Sequence, residues 1–226
     1  MRIVATVPRG MAGWSVSTPL APSSCASRAR TFCRPIPRDE SPDAAASPTP
    51  ARDDVSWLAP LKEEKKAGRV RYIGVQVITD QLLPQVEAIM RNEPIDFIGV
   101  NYDVSSRQAE EKILPLAQER KIGVMVFFPF NNARGLSCTG GTSLFSRVAN
   151  KPLPEWAAEF DAKSWSQFFT KYVLSHPAVT VVRTGTTKAA HMLDNIGGGI
   201  GRLPNEVMRK RMVELIDSLP RAGAPA

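Results

Sequence analysis

From residue 55 onward, short apolar segments alternate with segments of helical pattern, and this alternation is what most constrains the fold. Runs rich in β-branched residues, such as RVRYIGVQV at 69–77, are typical of strands. Apolar residues spaced three and four positions apart, as in 82–90, are typical of amphipathic helices. Strands and helices that alternate with short connections favour a parallel α/β sheet.

The pattern predicts four strands separated by helices. We predict strands at 69–77, 95–102, 122–128 and 179–184. We predict helices at 57–67, from 80 to about 90, around 113–117, at 165–173, at 188–195 and from 204 to 219, with a long loop at 129–156. Four such units fit two architectures, a small open doubly wound sheet and one half of an eight-stranded barrel, because a complete barrel needs roughly 200 residues or more.

Local signals predict where several helices begin and end. Gly68 is placed to end the first helix in the left-handed conformation, and Asp80 to cap the second. Ser105 and Gln108 have the spacing of a capping box for the third. Pro204 is expected at the first position of the last helix.

The first 55 residues differ from this body in composition. They contain eight of the 19 prolines, and before Asp39 they hold six arginines and no acidic residue. We therefore interpret 1–55 as a disordered leader, 56–220 as one folded domain and 221–226 as a flexible tail. An acid-poor, Arg- and Ser-rich leader is also similar to an organellar transit peptide, although its prolines oppose the amphipathic helix that such peptides form.

Charge, hydropathy and cysteine content exclude several classes of protein. The net charge is +7, but the six leader arginines leave only 23 basic against 22 acidic residues in 39–226, so we expect no nucleic-acid partner. The longest apolar runs are too short for a membrane helix. Three cysteines without C-x-x-C spacing predict neither a disulfide framework nor a metal site, and we expect a reducing, cytoplasmic location.

The segment VVRTGTTK at 181–188 is the strongest sign of a binding site, since a strand ends there in a Gly-Thr-Thr turn that enters a helix. Backbone N–H groups at the helix start, two hydroxyls and the Lys188 ammonium suit a phosphate, but the same residues are ordinary turn and cap residues. Phe127 ends the third strand and either stacks on a flat ligand ring or fills the core. Tyr102 has no Lys or His placed to activate it, so we predict no catalytic residue.

Several segments, in this order and at this spacing, resemble the aldo-keto reductase family. The matching segments are GRVRYIGV at 68–75, 95–102, ILPLA at 113–117, 123–130, HPAV at 176–179, and GTTK at 185–188 with Asp194-Asn195. The family has a (β/α)₈ barrel and usually reduces aldehydes and ketones with NADPH. The resemblance covers strands five to eight, so it implies half of a TIM-type barrel and an NADP(H)-dependent oxidoreductase that acts on small carbonyl or alcohol substrates.

The resemblance implies cofactor contacts at particular positions. Phe127 takes the place of the aromatic residue that stacks on the nicotinamide, and Gly185, Thr186 and Thr187 match the turn that holds the adenosine phosphate. His191, Asp194 and Asn195 match positions around the adenine end of the cofactor. From its charge, we infer that Lys188 helps to hold a 2′-phosphate.

Two departures from the family pattern affect the predicted activity. Gln76-Val77 stands where Ser-Asn usually holds the carboxamide, and Gly99 stands where a Gln is usual, so only Gln76 is a partial substitute there. The family's catalytic Asp, Tyr, Lys and His belong to strands two to four, and nothing in 1–55 resembles their motifs. We therefore expect that the chain on its own does not catalyse carbonyl reduction.

A half barrel would expose unpaired strand edges and its apolar interior. Pairing of two copies, association with a complementary half, and aggregation are all consistent with this, and we expect an oligomer or aggregate more than a monomer. Three functions stay open: a reductase represented by its C-terminal half, a non-catalytic NADP(H)-binding remnant, and an interaction module whose basic arm binds an acidic partner.

Overall fold

The computed structural model describes residues 2–6, 55–77, 80–131 and 143–220, which form one five-stranded sheet with helices against it. The strands are β1 (Arg2–Thr6), β2 (Tyr72–Gln76), β3 (Phe97–Asn101), β4 (Gly123–Phe127) and β5 (Val179–Arg183). The α-helices are α1 (Ala59–Lys66), α2 (Leu83–Asn92), α3 (Ile113–Arg120), α4 (Leu144–Arg147), α5 (Trp165–Leu174), α6 (Ala189–Gly197) and α7 (Glu206–Asp217). Short 3-10 helices occupy Ser56–Leu58, Asp80–Leu82, Gln108–Glu110 and Glu155–Phe160.

The strand order identifies the architecture. Strands β2, β3, β4 and β5 are parallel and lie side by side in chain order, each followed by a helix. A doubly wound sheet would reverse its strand order at a switch point, and this sheet does not. The predicted partial (β/α)₈ barrel is therefore confirmed, and the open doubly wound alternative is wrong.

The two faces of the sheet are packed differently. One face carries buried branched residues that form a single core with α2, α3 and α5, among them Val75, Ile98, Val100, Val124 and Val126. The opposite face, which lines the interior of a complete barrel, is called the open face below. A small pocket on it is lined by residues of β2, β3 and β4.

Aromatic rings cover glycines on the open face. A Cβ on Gly123 would lie 2.3 Å from the ring of Phe97 on the neighbouring strand, and one on Gly99 would lie 2.6 Å from the ring of Phe127. Each ring thus rests on the backbone of the adjacent strand, where a side chain would otherwise stand. The glycines thus let both rings lie against the sheet, where Phe127 is buried and Phe97 is half-buried.

Strand β1 was not expected from the sequence. Arg2–Thr6 pairs antiparallel with β2, in a register that sets Arg2 opposite Gln76 and Thr6 opposite Tyr72. The interpretation of the whole of 1–55 as lacking regular structure is therefore wrong for these five residues. It also changes the prediction of unpaired strand edges, since β2 has a neighbour on each side while β5, among the described residues, pairs with β4 alone.

Some predicted helix boundaries are confirmed and others are wrong. Gly68 follows α1 with φ +72°, as expected for a left-handed terminator. Asp80 does not cap α2, because it begins the 3-10 helix that precedes α2. The N-cap residue of α2 is Leu82, which forms no side-chain capping bond. The Ser105 hydroxyl donates to Asp103 at 2.7 Å, so it does not form the capping box. Asn205, and not Pro204, precedes α7, where its side chain accepts from the Met208 N–H at 2.9 Å.

Three predictions fall on segments outside the described residues. These segments are 7–54, 132–142 and 221–226, and they include the rest of the leader, all three cysteines and the tail. The division of the chain at residues 55 and 220 stays a prediction. Within the described ranges, no helix has both the length and the apolarity to traverse a bilayer.

A buried polar cluster attaches α7 to the sheet. The Arg209 guanidinium donates to the Tyr102 hydroxyl and to Glu110, each at 2.7 Å, and to the Tyr172 carbonyl at 2.5 Å. It also lies over the Tyr172 ring at 4.2 Å. The Tyr102 hydroxyl in turn donates to Glu110. One cation therefore joins the loop after β3 to both α5 and α7, with its charge paired and its donors used.

Arg209→Met should lower the free energy of unfolding by about 3 kcal/mol, because it leaves Glu110, the Tyr102 hydroxyl and the Tyr172 carbonyl without their cationic donor. Urea denaturation followed by circular dichroism measures this change. Arg91→Met, which removes an exposed pair with Glu87 on α2, is the matched control and should cost less than about 1 kcal/mol. Equal losses for the two variants would contradict the role assigned to Arg209.

Candidate functional site

The carboxyl ends of the parallel strands bring several predicted site residues to one rim of the sheet. Gln76 ends β2 and Phe127 ends β4, while Gly185 follows β5 by two residues. The register pairs Gln76 with Gly99 and Phe127 with Arg183, so these positions share one face. The turn at Gly185 and the ring of Phe127 therefore lie on the same rim, where parallel α/β proteins bind ligands.

Phe127 is enclosed on both sides. One side of its ring covers Gly99, beside the Gln76 side chain, whose Cγ would lie 3.0 Å from a Cβ at position 99. The Arg183 guanidinium lies over the Phe127 ring, with its central carbon 5.3 Å from the ring centroid. Only 6% of Phe127 is exposed. Phe127 and Gln76 thus occupy the space that a side chain at position 99 would need.

A buried acceptor without a partner lies next to Phe127. Asn101 ends β3, and its Cα is the register partner of the Cα of Phe127. The side-chain oxygen of Asn101 is buried and accepts no hydrogen bond among the described residues. A buried amide oxygen in this state is costly, so a ligand N–H at this point would stabilise it.

The turn after β5 is open to solvent. A Cβ on Gly185 would have no atom within 4 Å, and Thr187, Lys188 and His191 are exposed. The Thr186 hydroxyl accepts from the Lys188 N–H at 3.2 Å. Lys188 is the N-cap of α6 and has no side-chain capping bond. The predicted phosphate turn therefore has the expected strand–turn–helix form, with two side chains capable of positive charge beside it.

Asp194 and Asn195 lie on α6 facing α5, away from this solvent-exposed turn. Both Asp194 oxygens accept from the Ser164 hydroxyl at 2.8 Å, and one accepts from the Gln167 amide at 2.8 Å. Asn195 is buried and accepts from the Ser166 hydroxyl. In this arrangement the two side chains fix α6 against α5, and thereby fix the position of the turn.

The chain's three tyrosines are all described, and none lies at the rim beside Phe127. Tyr72 begins β2 at the opposite end of the sheet. Tyr102 and Tyr172 are buried on the helix side, where burial raises the pKa of Tyr102 far above its ordinary value and that of Tyr172 to about 12. They share hydrogen bonds with Glu110, so neither hydroxyl can reach a ligand on the open face.

Two further titratable groups of the described residues, His176 and Asp103, are engaged in local contacts. Burial lowers the pKa of His176, whose ring packs against Tyr102, and raises the pKa of Asp103 to about 6. Asp103 holds its own loop through the Ser105 hydroxyl and backbone. Among the described residues, no group of three His, Cys, Asp or Glu side chains is arranged to hold a metal ion.

Two residues at this rim, Arg183 and Asn101, received no role from the sequence. Alternation along the strands was the signal that could have found them, since residues at intervals of two share a face. Asn101 lies two positions after Gly99, and Arg183 two after Val181, both on the open face. Polar side chains at alternate positions of otherwise apolar strands mark the interior of this barrel rim.

Gly99→Ala should lower the free energy of unfolding by about 1–3 kcal/mol, because the new methyl group would meet the Phe127 ring at 2.6 Å. Gly185→Ala is the matched control, with no atom near its Cβ, and should change stability by less than about 0.5 kcal/mol. Thermal and urea unfolding compare the two. A Gly99→Ala variant as stable as the unsubstituted chain would contradict the packing of Phe127 on Gly99.

Comparison with known proteins agrees with this architecture. The chain is 26% identical over 192 residues to "Probable aldo-keto reductase 1" of Glycine max, which covers 76% of this chain and 51% of that protein. It is 25% identical over 161 residues to an uncharacterized oxidoreductase of Schizosaccharomyces pombe, covering 71% of this chain and 46% of that protein. The chain thus spans about half the length of the curated relatives it matches.

A solved structure has the same fold. The apo form of aldo-keto reductase AKR11C1 from Bacillus halodurans superimposes with a TM-score of 0.53 at 19% identity, over 77% of this chain and 60% of that one. A sequence model of the "Aldo/keto reductase family" matches residues 45–212. With the parallel half-barrel and the rim described above, this match shows that the chain belongs to the aldo/keto reductase family.

Proposed function

We propose that this chain binds NADP(H) across the rim between Phe127 and the Gly185 turn, and that it supplies the cofactor-binding part of an oxidoreductase acting on small carbonyl or alcohol compounds. The observation that carries the proposal is that β4 and β5 pair in parallel, which sets an aromatic ring and a strand–turn–helix phosphate turn on one rim. A dinucleotide has a flat ring at one end and phosphates beyond it, in the same order.

The residues present fit such a cofactor. The Phe127 ring would stack on a flat ligand ring that takes the place of the Arg183 guanidinium, and the unpartnered Asn101 oxygen offers an acceptor for the carboxamide N–H of a nicotinamide. Gln76, buried beside Gly99, adds a second amide near the ring. The Gly185–Thr187 turn would hold an adenosine phosphate, and Lys188 with His191 would favour the additional 2′-phosphate of NADP(H) over NAD(H).

In this proposal the bound cofactor supplies the hydride, and the chain's own residues bind and orient it. Hydride transfer depends on which face of the nicotinamide is presented and on its distance from the carbonyl carbon. Phe127, Gln76 and Asn101 are the groups at the rim that would restrict that face. Asp194 and Asn195 contribute by holding α6, and so the turn, in place, in addition to the adenine contacts that the family resemblance implies.

The chain on its own should bind the cofactor without turning it over. Reduction of a carbonyl needs a group that delivers a proton to the oxygen, and all three tyrosines lie away from the rim beside Phe127. The two histidines lie on the exposed α6 and beside the buried Tyr102. These positions support a cofactor-binding function over catalysis by this chain alone. They do not favour the interaction-module alternative, which uses none of the rim residues.

NADPH should quench the tryptophan fluorescence of the purified chain with a saturable dependence on concentration, and Phe127→Ala should weaken this binding about tenfold because a stacking surface is lost. Phe97→Ala, which removes a ring from the same face near the other end of the strands, is the matched control and should bind as the unsubstituted chain does. In the same samples, adding an aldehyde should cause no loss of NADPH absorbance at 340 nm.

Absence of saturable quenching would refute the cofactor proposal, and aldehyde-dependent NADPH oxidation would refute the absence of turnover. The cytoplasmic location, and the absence of nucleic-acid and membrane partners, remain predictions that this experiment does not address.

We also propose that two copies of the chain associate through the β5 edge and the exposed side of α6. Within the described part of the chain, strand β5 pairs on one side only, and Leu193 and Ile196 on α6 are 72% and 54% exposed. Val181 on β5 and Ile200 after α6 are exposed as well. An apolar patch continuous with an open strand edge favours a second copy, because the same backbone pairing then satisfies both edges.

Sedimentation velocity should give a mass above the 24.7 kDa of one chain. Leu193→Asp combined with Ile196→Asp should shift the distribution toward the monomer, because two charges would be buried without partners. Val207→Asp, at a residue 76% exposed on α7, is the control and should leave the distribution unchanged. A monomer for the unsubstituted chain would contradict the proposal.

A further inference from the structure

Arg183 is a cation on the open face whose position the packing of the sheet does not require. It ends β5, its side chain is exposed, and its guanidinium carbon lies 5.3 Å from the centroid of the Phe127 ring. The ion pairs of the described residues involve other basic side chains, and no described carboxylate lies within 4 Å of its nitrogens.

Two partly buried arginines of the described region, in contrast, are held by carboxylates. Arg209 pairs with Glu110 at 2.7 Å, and Arg107 pairs with Asp217 at 2.8 Å. Arg183 instead has an aromatic ring as its neighbour, and an exposed guanidinium is held only weakly by a ring. Its fork of N–H donors is thus available to an anion.

The location of Arg183 conflicts with ring stacking on Phe127. One side of the Phe127 ring rests on Gly99 and Gln76, and the guanidinium covers the ring as well. A flat ligand ring that stacks on Phe127 must therefore take the place of the guanidinium. The displaced cation stays attached to the end of β5, two residues before Gly185.

We propose, on the basis of the proposed cofactor site, that Arg183 leaves the Phe127 ring when NADP(H) binds and pairs with the diphosphate that joins the two nucleotides. Arg183 lies between Phe127, at the nicotinamide end, and the Gly185 turn, at the adenosine end, and the diphosphate lies between those ends of the molecule. A planar guanidinium binds phosphate oxygens through two parallel hydrogen bonds, which are stronger than its contact with a ring.

Arg183 then acts twice in binding. Without a cofactor it shields the ring that the nicotinamide will use, and with a cofactor it neutralises charge next to that ring. Its removal therefore has two opposed consequences for affinity, loss of a phosphate ligand and loss of a competitor for Phe127. The proposal states that the first is the larger.

The test measures the Kd of NADPH by tryptophan fluorescence quenching for four proteins at 50 mM and 200 mM NaCl. Arg183→Met should raise the Kd at least tenfold, which is about 1.4 kcal/mol, and should reduce its dependence on salt because one screened charge pair is lost. The Kd of Arg183→Lys should lie between those of the unsubstituted chain and Arg183→Met, since lysine keeps the positive charge but lacks the planar pair of N–H donors. Arg71→Met removes an exposed arginine just before β2, at the opposite rim, and should match the unsubstituted chain.

The outcomes separate this inference from the function beneath it. An unchanged Kd for Arg183→Met would overturn the inference and leave the cofactor proposal standing. A lower Kd would also overturn it, since Arg183 would then only cover the ring. No binding by the unsubstituted chain would overturn both. Circular dichroism melts confirm that the variants are folded, and Arg183→Gln replaces Arg183→Met in the comparison if the methionine variant is not.

Discussion

The structure depends on how differently the two faces of one parallel sheet are packed. The helix side buries branched side chains such as Val75, Val100 and Val126, which exclude water and hold α2, α3 and α5 against the sheet. On the open face, Phe97 and Phe127 lie across glycines of neighbouring strands. Because glycine has no side chain, each ring can pack directly against the backbone of the neighbouring strand.

This packing explains why Gly99 and Phe127 belong together. A longer side chain at position 99 and the observed ring position exclude each other, since even a methyl group would lie 2.6 Å from the ring. The loss of the family's usual Gln at this position is therefore coupled to where the Phe127 ring rests. Asn101, two residues further along β3, keeps an amide on the same face with its oxygen unpaired, so the polar character of the rim is shifted along the strand.

Much of the fold follows from local sequence patterns. The four parallel strands are apolar enough to be found without knowing their neighbours, and Gly68 has the left-handed backbone expected after a helix. The family resemblance then distinguished a half-barrel from a doubly wound sheet, which strand and helix lengths left open. Prediction failed in two ways, one decided by a competing local hydrogen bond and the other by a strand pairing distant in sequence. Ser105 bonds Asp103 instead of capping a helix, and β1 exists only through its pairing with β2.

The site was less predictable because some residues at cofactor-binding positions of the family also form hydrogen bonds within this chain. Asp194 and Asn195 match family positions, yet their described partners are Ser164, Gln167 and Ser166 on and before α5. Helix α5 also supplies the buried Lys171, whose ammonium donates to the Ile200 and Arg202 carbonyls at 2.5 and 2.9 Å and whose pKa burial lowers. The segment after α6 is thus fixed by one charged donor that sequence periodicity cannot assign.

These contacts make α5 the element that sets the geometry of the Gly185 turn. On one side it meets Tyr102, Glu110 and Arg209, and on the other it holds α6 through Asp194. Both tyrosines of the first cluster are committed to hydrogen bonds within the core. The phenolic groups of Tyr102 and Tyr172 therefore hold α5 and α7 in the arrangement on which the proposed cofactor site depends.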